Sequence, residues 1–93
     1  MNEQDICSQA LSTYGADNQT LMVFEEMAEL QKALCKHARG ENNRLHIAEE
    51  IADVQITLAQ MVILYDCADE VNAYKKYKLE RLRQRLNEEV GKP

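Results

Sequence analysis

The fold is decided by the stretch IAEEIADVQITLAQMVILY, residues 47–65. At helical spacing, one face of this stretch carries the large apolar residues Ile47, Ile51, Val54, Leu58, Met61, Val62 and Tyr65. The other side is also apolar and carries Ala52, Ile56, Ala59 and Ile63. A helix that is apolar on two sides is buried on two sides. Because a chain of 93 residues has a small core, we expect the second side to pack against another subunit.

Three breaks divide the chain into helical segments: the polar stretches at residues 14–18 and 39–43, and a weaker interruption at residues 66–69. Gly40 is well placed to end a helix. The breaks predict four helices, at residues 2–14, 18–39, 45–65 and 69–89. The second has an apolar stripe of Val23, Met27, Leu30 and Leu34, and the fourth one of Val71, Tyr74, Leu79, Leu82 and Leu86. No segment alternates like a half-buried strand, so the predicted fold class is all-α.

Composition limits the partners of this chain. Its length predicts one domain, residues 1–93, and its net charge of −5 argues against a nucleic-acid polymer or an anionic membrane surface as a partner. Cys7, Cys35 and Cys67 form no CxxC pair, which favours reduced thiols and a cytoplasmic protein. No signal peptide and no membrane-spanning segment is predicted.

Two acidic clusters stand out, at residues 25–29 (EEMAE) and 49–53 (EEIAD). Glu26 and Glu29 lie three residues apart, as do Glu50 and Asp53, so each pair shares one helix face. Two such helices side by side would present four carboxylates to one point, which suits a hard divalent cation.

The alternative is that these acids are an ordinary solvated surface. Surface acids on helices are normally supported by Lys or Arg four residues later. The residues four after Glu25, Glu26, Glu49 and Glu50 are instead Glu29, Leu30, Asp53 and Val54. The clusters therefore stack like charges, and a bound metal would remove the repulsion.

The pattern E-E-x-x-E, a spacer of twenty residues, then E-x-x-D resembles the MazG-like branch of the all-alpha nucleoside triphosphate pyrophosphohydrolases. The dimeric dUTPases and the dCTP pyrophosphatases share that superfamily. The surroundings also match, with Tyr14-Gly15 followed by Gln19. The resemblance covers about residues 14–86. It implies a four-helix bundle completed by oligomerisation, as a homodimer or homotetramer. It also implies Mg²⁺, for which Mn²⁺ can substitute, and cleavage of a nucleoside triphosphate into monophosphate and pyrophosphate.

Carried over by position, the resemblance implies metal ligands at Glu26, Glu29, Glu50 and Asp53. Glu25 or Glu49 would orient the attacking water. The role that the resemblance implies for the protein is house-cleaning, the removal of deoxy or non-standard nucleotides.

Cationic candidates for the phosphate tail lie on two helices. They are Lys78, Arg81 and Arg85 on the fourth, with Lys36 and Arg39 near the end of the second. For the fourth helix, a solvated basic face balanced by nearby Glu residues is the alternative; for the second, basic residues at a helix end are expected from the dipole alone. Related enzymes often carry an Asn just after the residue matching Lys78, where this chain has Leu79. Gln19 is a candidate for hydrogen-bonding the base, or a polar residue at a helix start.

Two other functions compete with this hypothesis. One is a helical interaction or regulatory module that kept the fold and has weak or no catalysis. The other is an enzyme of the same fold that acts on a different phosphate anhydride, such as phosphoribosyl-ATP.

Overall fold

The structure is a computed structural model that describes residues 1–91. It contains the helices α1 (Glu3–Tyr14), α2 (Ala16–Ala38), α3 (Arg44–Leu64) and α4 (Ala68–Val90), and no strand within that range. The prediction of an all-α chain with four helices is therefore confirmed, and the helix ends agree with the predicted ones to within two residues.

The breaks between helices have local backbone causes. Gly15 has φ 92° and alone separates α1 from α2, so the first break is shorter than predicted. Gly40 follows α2 with φ 102°, a region that glycine enters without the steric cost of a Cβ. Asp66, after α3, also has positive φ, at 49°. At the start of α1, Asn2 and Asp5 form a capping box, in which the Asp5 amide donates to Asn2 Oδ1 at 2.8 Å.

The helices α2 and α3 pack against each other as a hairpin, and α1 packs across both of them. The last helix is different: α4 adjoins only α3, and none of its residues is buried. As a result the chain is extended, with a radius of gyration of 17.1 Å where a compact domain of this length has about 12 Å. A single subunit therefore does not close a four-helix bundle.

The buried interior is small and half of it is polar. Its apolar members are Cys7, Val23, Ala33 and Val54, and its polar members are Gln19, Glu50, Thr57 and Gln60. The predicted apolar stripes of α2 and α3 are buried only in part, since large members such as Met27, Leu34, Ile51, Leu58 and Tyr65 remain exposed. The predicted α4 stripe is exposed throughout. The α2–α3 contact is therefore centred on a face that carries polar side chains.

In residues 1–91, no helix combines the length and the apolar character needed to cross a membrane.

Candidate metal centre

The α2–α3 hairpin brings three carboxylates together. Glu26 comes from α2, and Glu50 and Asp53 come from one face of α3. Each offers a carboxylate oxygen, and these oxygens all lie within 4.8 Å of one another. Glu26 and Asp53 are half-buried and Glu50 is buried, so the cluster sits at the helix interface with one side open. Several oxygen donors with an open side form the kind of site that a hard divalent cation occupies.

Glu50 is the most buried of the three acids. Its exposed fraction is 6%, and its Oε2 atom is buried without a hydrogen-bond partner. Its other oxygen, Oε1, lies 3.7 Å from His46 Nε2, one turn earlier on α3. A buried carboxylate oxygen without a partner is costly, because it has lost water and gained nothing in return. A hard divalent cation would give these oxygens a partner, since such ions bind through carboxylates.

The electrostatics of Glu26 point the same way. Burial raises the pKa of the Glu26 carboxyl above its ordinary value, and the negative charges of Asp53, Glu50, Glu25 and Glu29 raise it further. No Lys or Arg among residues 1–91 forms an ion pair with the cluster. The cluster therefore carries mutual repulsion that a divalent cation would relieve.

The raised pKa of Glu26 predicts how the free energy of unfolding depends on pH in the absence of metal. Because the pKa of Glu26 is raised in the folded state, the folded protein binds more protons than the unfolded chain between the ordinary carboxyl pKa of 4.5 and the folded-state pKa. The free energy of unfolding should then fall as the pH rises through the folded-state pKa. Thermal unfolding in EDTA should show this loss, and Glu26→Gln should reduce it.

Added Mg²⁺ should reverse that loss. At neutral pH it should stabilise the protein by about 2.7 kcal/mol when present at about 100 times its dissociation constant. A thermal midpoint that Mg²⁺ does not change would contradict the metal assignment.

The remaining predicted acids lie at the rim. Glu29 is exposed and is not one of the three converging residues, although its charge acts on Glu26. Glu25 is exposed on α2. Glu49 is also exposed, and one of its carboxylate oxygens lies within 4.8 Å of a His46 ring nitrogen and of a Glu50 carboxylate oxygen. Of the four predicted ligands the structure therefore brings together three, and the proposed water-orienting acids border them.

The predicted phosphate-binding cations are not gathered at the cluster. Lys78, Arg81 and Arg85 are exposed on α4, which makes no contact with α2. The guanidinium of Arg81 instead lies 5.9 Å from the ring centre of Tyr77. At the end of α2, Lys36 is half-buried and Arg39 is exposed. Within one subunit, the α4 cations therefore lie away from Glu26, the cluster residue on α2.

Three polar residues near the cluster were missed by sequence reasoning. Thr57 and Gln60 are buried; Thr57 lies four residues after Asp53, and Gln60 lies three residues after Thr57. Glu50, Asp53, Thr57 and Gln60 form a polar stripe along α3 that could have indicated these site residues. It is hard to recognise in the sequence because apolar residues flank it on both sides. The third is His46, next to Glu50. Gln19 was proposed as a site residue, and it is buried opposite Gln60.

Residues 1–91 thus form an all-helical protein with a carboxylate cluster suited to a hard divalent cation. Comparisons of the chain with models of protein families, with curated proteins and with solved structures find no match. These comparisons therefore assign no reaction to the chain.

Proposed function

We propose that this protein is a Mg²⁺-dependent nucleoside triphosphate pyrophosphohydrolase, which converts a triphosphate and water into a monophosphate and pyrophosphate. One observation carries the proposal: Glu26, Glu50 and Asp53 converge from two helices, and the buried Oε2 of Glu50 lacks a partner. The resemblance of the two acidic motifs to the MazG-like family supplies the reaction type. The proposed role is removal of deoxy or non-standard nucleotides.

The chain's own residues have distinct proposed roles. Glu26, Glu50 and Asp53 hold Mg²⁺, with Glu29 as a fourth ligand from the rim. When bound, Mg²⁺ supplies positive charge against the polyphosphate and lowers the pKa of a coordinated water, and Mn²⁺ can serve in its place. The exposed carboxylate of Glu25 or Glu49 orients the attacking water and accepts its proton. Gln19 contacts the base.

Cations are proposed to bind the phosphate tail at two places. Lys36 lies on the same helix as Glu26, and Arg39 directly follows that helix. The α4 cations could reach the cluster only from an α4 that packs against α2. The three cysteines form no disulfide among residues 1–91, which fits a cytoplasmic protein.

Self-association is part of the proposal, as a homodimer or homotetramer. The chain has a solvent-accessible surface of 7532 Å², about 2,000 Å² more than a compact monomer of this mass exposes. A standard interface covers about 800 Å² on each partner. The exposed surface includes many large apolar side chains, among them all of the α4 stripe. A second copy is the partner that this surface fits, because the exposed face lies on the element that completes a bundle.

The function can be tested by incubating the protein with Mg²⁺ and the common ribo- and deoxynucleoside triphosphates, and measuring pyrophosphate and monophosphate. We expect both products in equal amounts, and none in EDTA. Phosphoribosyl-ATP belongs in the panel, because turnover of that compound alone would reassign the substrate. No turnover of any compound at high enzyme concentration would instead support a helical interaction module without catalysis.

A further inference from the structure

A cavity of about 190 Å³ adjoins the acidic cluster between α2 and α3. It is lined by Gln19, Met22, Glu26, Asp53, Ile56, Thr57 and Gln60. Two cluster carboxylates therefore share this space with two buried amides, and Met22 and Ile56 supply apolar wall. A few placed polar groups among apolar side chains are typical of ligand pockets.

The two amides are joined to each other. Gln19 Nε2 donates to Gln60 Oε1 at 2.6 Å, across 41 residues of sequence. The exposed fractions are 8% for Gln19 and 6% for Gln60. Their bond leaves the Gln19 Oε1 acceptor and the Gln60 Nε2 donors without a protein partner in residues 1–91. The buried amide pair is therefore held in place but keeps an acceptor and donors unused.

A second cavity of about 480 Å³ neighbours the first. The two cavities share Gln19 and Met22, and the second reaches Tyr14 and Asn18 at the junction of α1 and α2. The smaller cavity is below the range of about 300–1,000 Å³ found for complete ligand sites, so it takes only part of a ligand. The remainder of the ligand has room in the neighbouring cavity.

The chemistry of the amide pair selects among the parts of a nucleotide. Phosphate oxygens only accept hydrogen bonds, and their charge is unfavourable beside Glu26 and Asp53 except where a cation intervenes. A nucleobase is neutral, and its edge presents donors and acceptors side by side. An amide pair with a free acceptor and free donors complements such an edge.

We infer that Gln60, held by Gln19, is a specificity-determining residue that hydrogen-bonds the base of the triphosphate whose phosphates bind at the acidic cluster. This inference rests on the proposed function for its ligand. Gln60 contributes to selectivity between bases, while the affinity for the phosphate tail comes from the cluster and its cation.

The test compares base selectivity with phosphate affinity. For each variant we would measure kcat/KM over the panel of triphosphates, and the inhibition constant of inorganic tripolyphosphate, which has no base. Gln60→Met keeps the side-chain length and removes the hydrogen bonds. It should lower kcat/KM for the preferred triphosphate by about 10- to 100-fold, narrow the differences in kcat/KM between bases, and leave the inhibition constant of tripolyphosphate unchanged.

Two further variants serve as controls. Gln55→Met makes the same chemical change at an exposed position of α3 outside this cavity, so turnover and base selectivity should stay as in the wild type. If Gln60→Met unfolds because Gln19 loses its partner, the double variant Gln19→Met/Gln60→Met removes both polar groups. It should lose at least as much base selectivity as Gln60→Met, because Gln19 is also proposed to contact the base.

Unchanged selectivity in a folded, active Gln60 variant would overturn this inference and leave the proposed function standing. An equal loss against tripolyphosphate would also overturn it, because the defect would then lie in the phosphate site. A wild-type protein that neither hydrolyses nor binds any compound in the panel would instead overturn the proposed function, and this inference with it.

Discussion

Glu50→Gln is expected to lower the turnover of nucleoside triphosphate by at least about 100-fold, because groups that only support a metal ligand already contribute 10- to 100-fold. The substitution keeps the volume of the side chain and removes its charge. Glu50 is the buried member of the carboxylate cluster, and its Oε2 has no hydrogen-bond partner within residues 1–91. Pyrophosphate release should therefore be lost together with Mg²⁺ binding, measured by calorimetry.

The fold should survive this change. Without metal, an uncharged side chain at position 50 costs less to bury than a carboxylate, so the thermal midpoint in EDTA should not fall below that of the wild type. The matched control is Glu41→Gln, which makes the same chemical change at an exposed acid in the turn between α2 and α3. It should leave turnover and Mg²⁺ affinity unchanged. If the folded Glu50→Gln protein kept its turnover, that result would contradict both the metal assignment and the hydrolase proposal.

Leu82→Asp should dissociate the proposed homo-oligomer. Leu79, Leu82 and Leu86 follow one face of α4 at spacings of three and four, and all are exposed in the single chain. Burying a leucine contributes about 1.5–3 kcal/mol, and a symmetric dimer loses two copies of that contact. The dimer dissociation constant should therefore rise by at least roughly 100-fold, since each 1.4 kcal/mol is tenfold. Light scattering at micromolar protein would measure the lower mass.

The matched control is Gln84→Asp, which adds the same residue and charge to the same helix. Position 84 lies about 200° around the helix from position 82, so it faces away from the leucine stripe. We expect Gln84→Asp to keep the wild-type mass. A wild-type protein that is already monomeric, or a Leu82→Asp protein of unaltered mass, would show that this face of α4 is not the interface.

Much of the local structure follows from the chain itself. Positive φ at Gly15 and Gly40 ends two helices, and these breaks are readable because glycine tolerates that conformation. The spacing of Glu50 and Asp53 places both on one face of α3 whatever the helix packs against. The existence, order and approximate ends of the four helices, and the pairing of acids within each helix, were predictable for these reasons.

Contacts between helices depend on how each helix is rotated and where it crosses its neighbour, which spacing along one chain segment does not encode. Only the tertiary structure decided that Glu26 joins Glu50 and Asp53 while Glu29 stays at the rim, and that Gln19 meets Gln60 across 41 residues. It also decided that α4 leaves its leucine stripe uncovered in a single subunit. The amino-acid sequence by itself determined the helices and the acidic faces, because both are local; the convergence of the site is a property of packing.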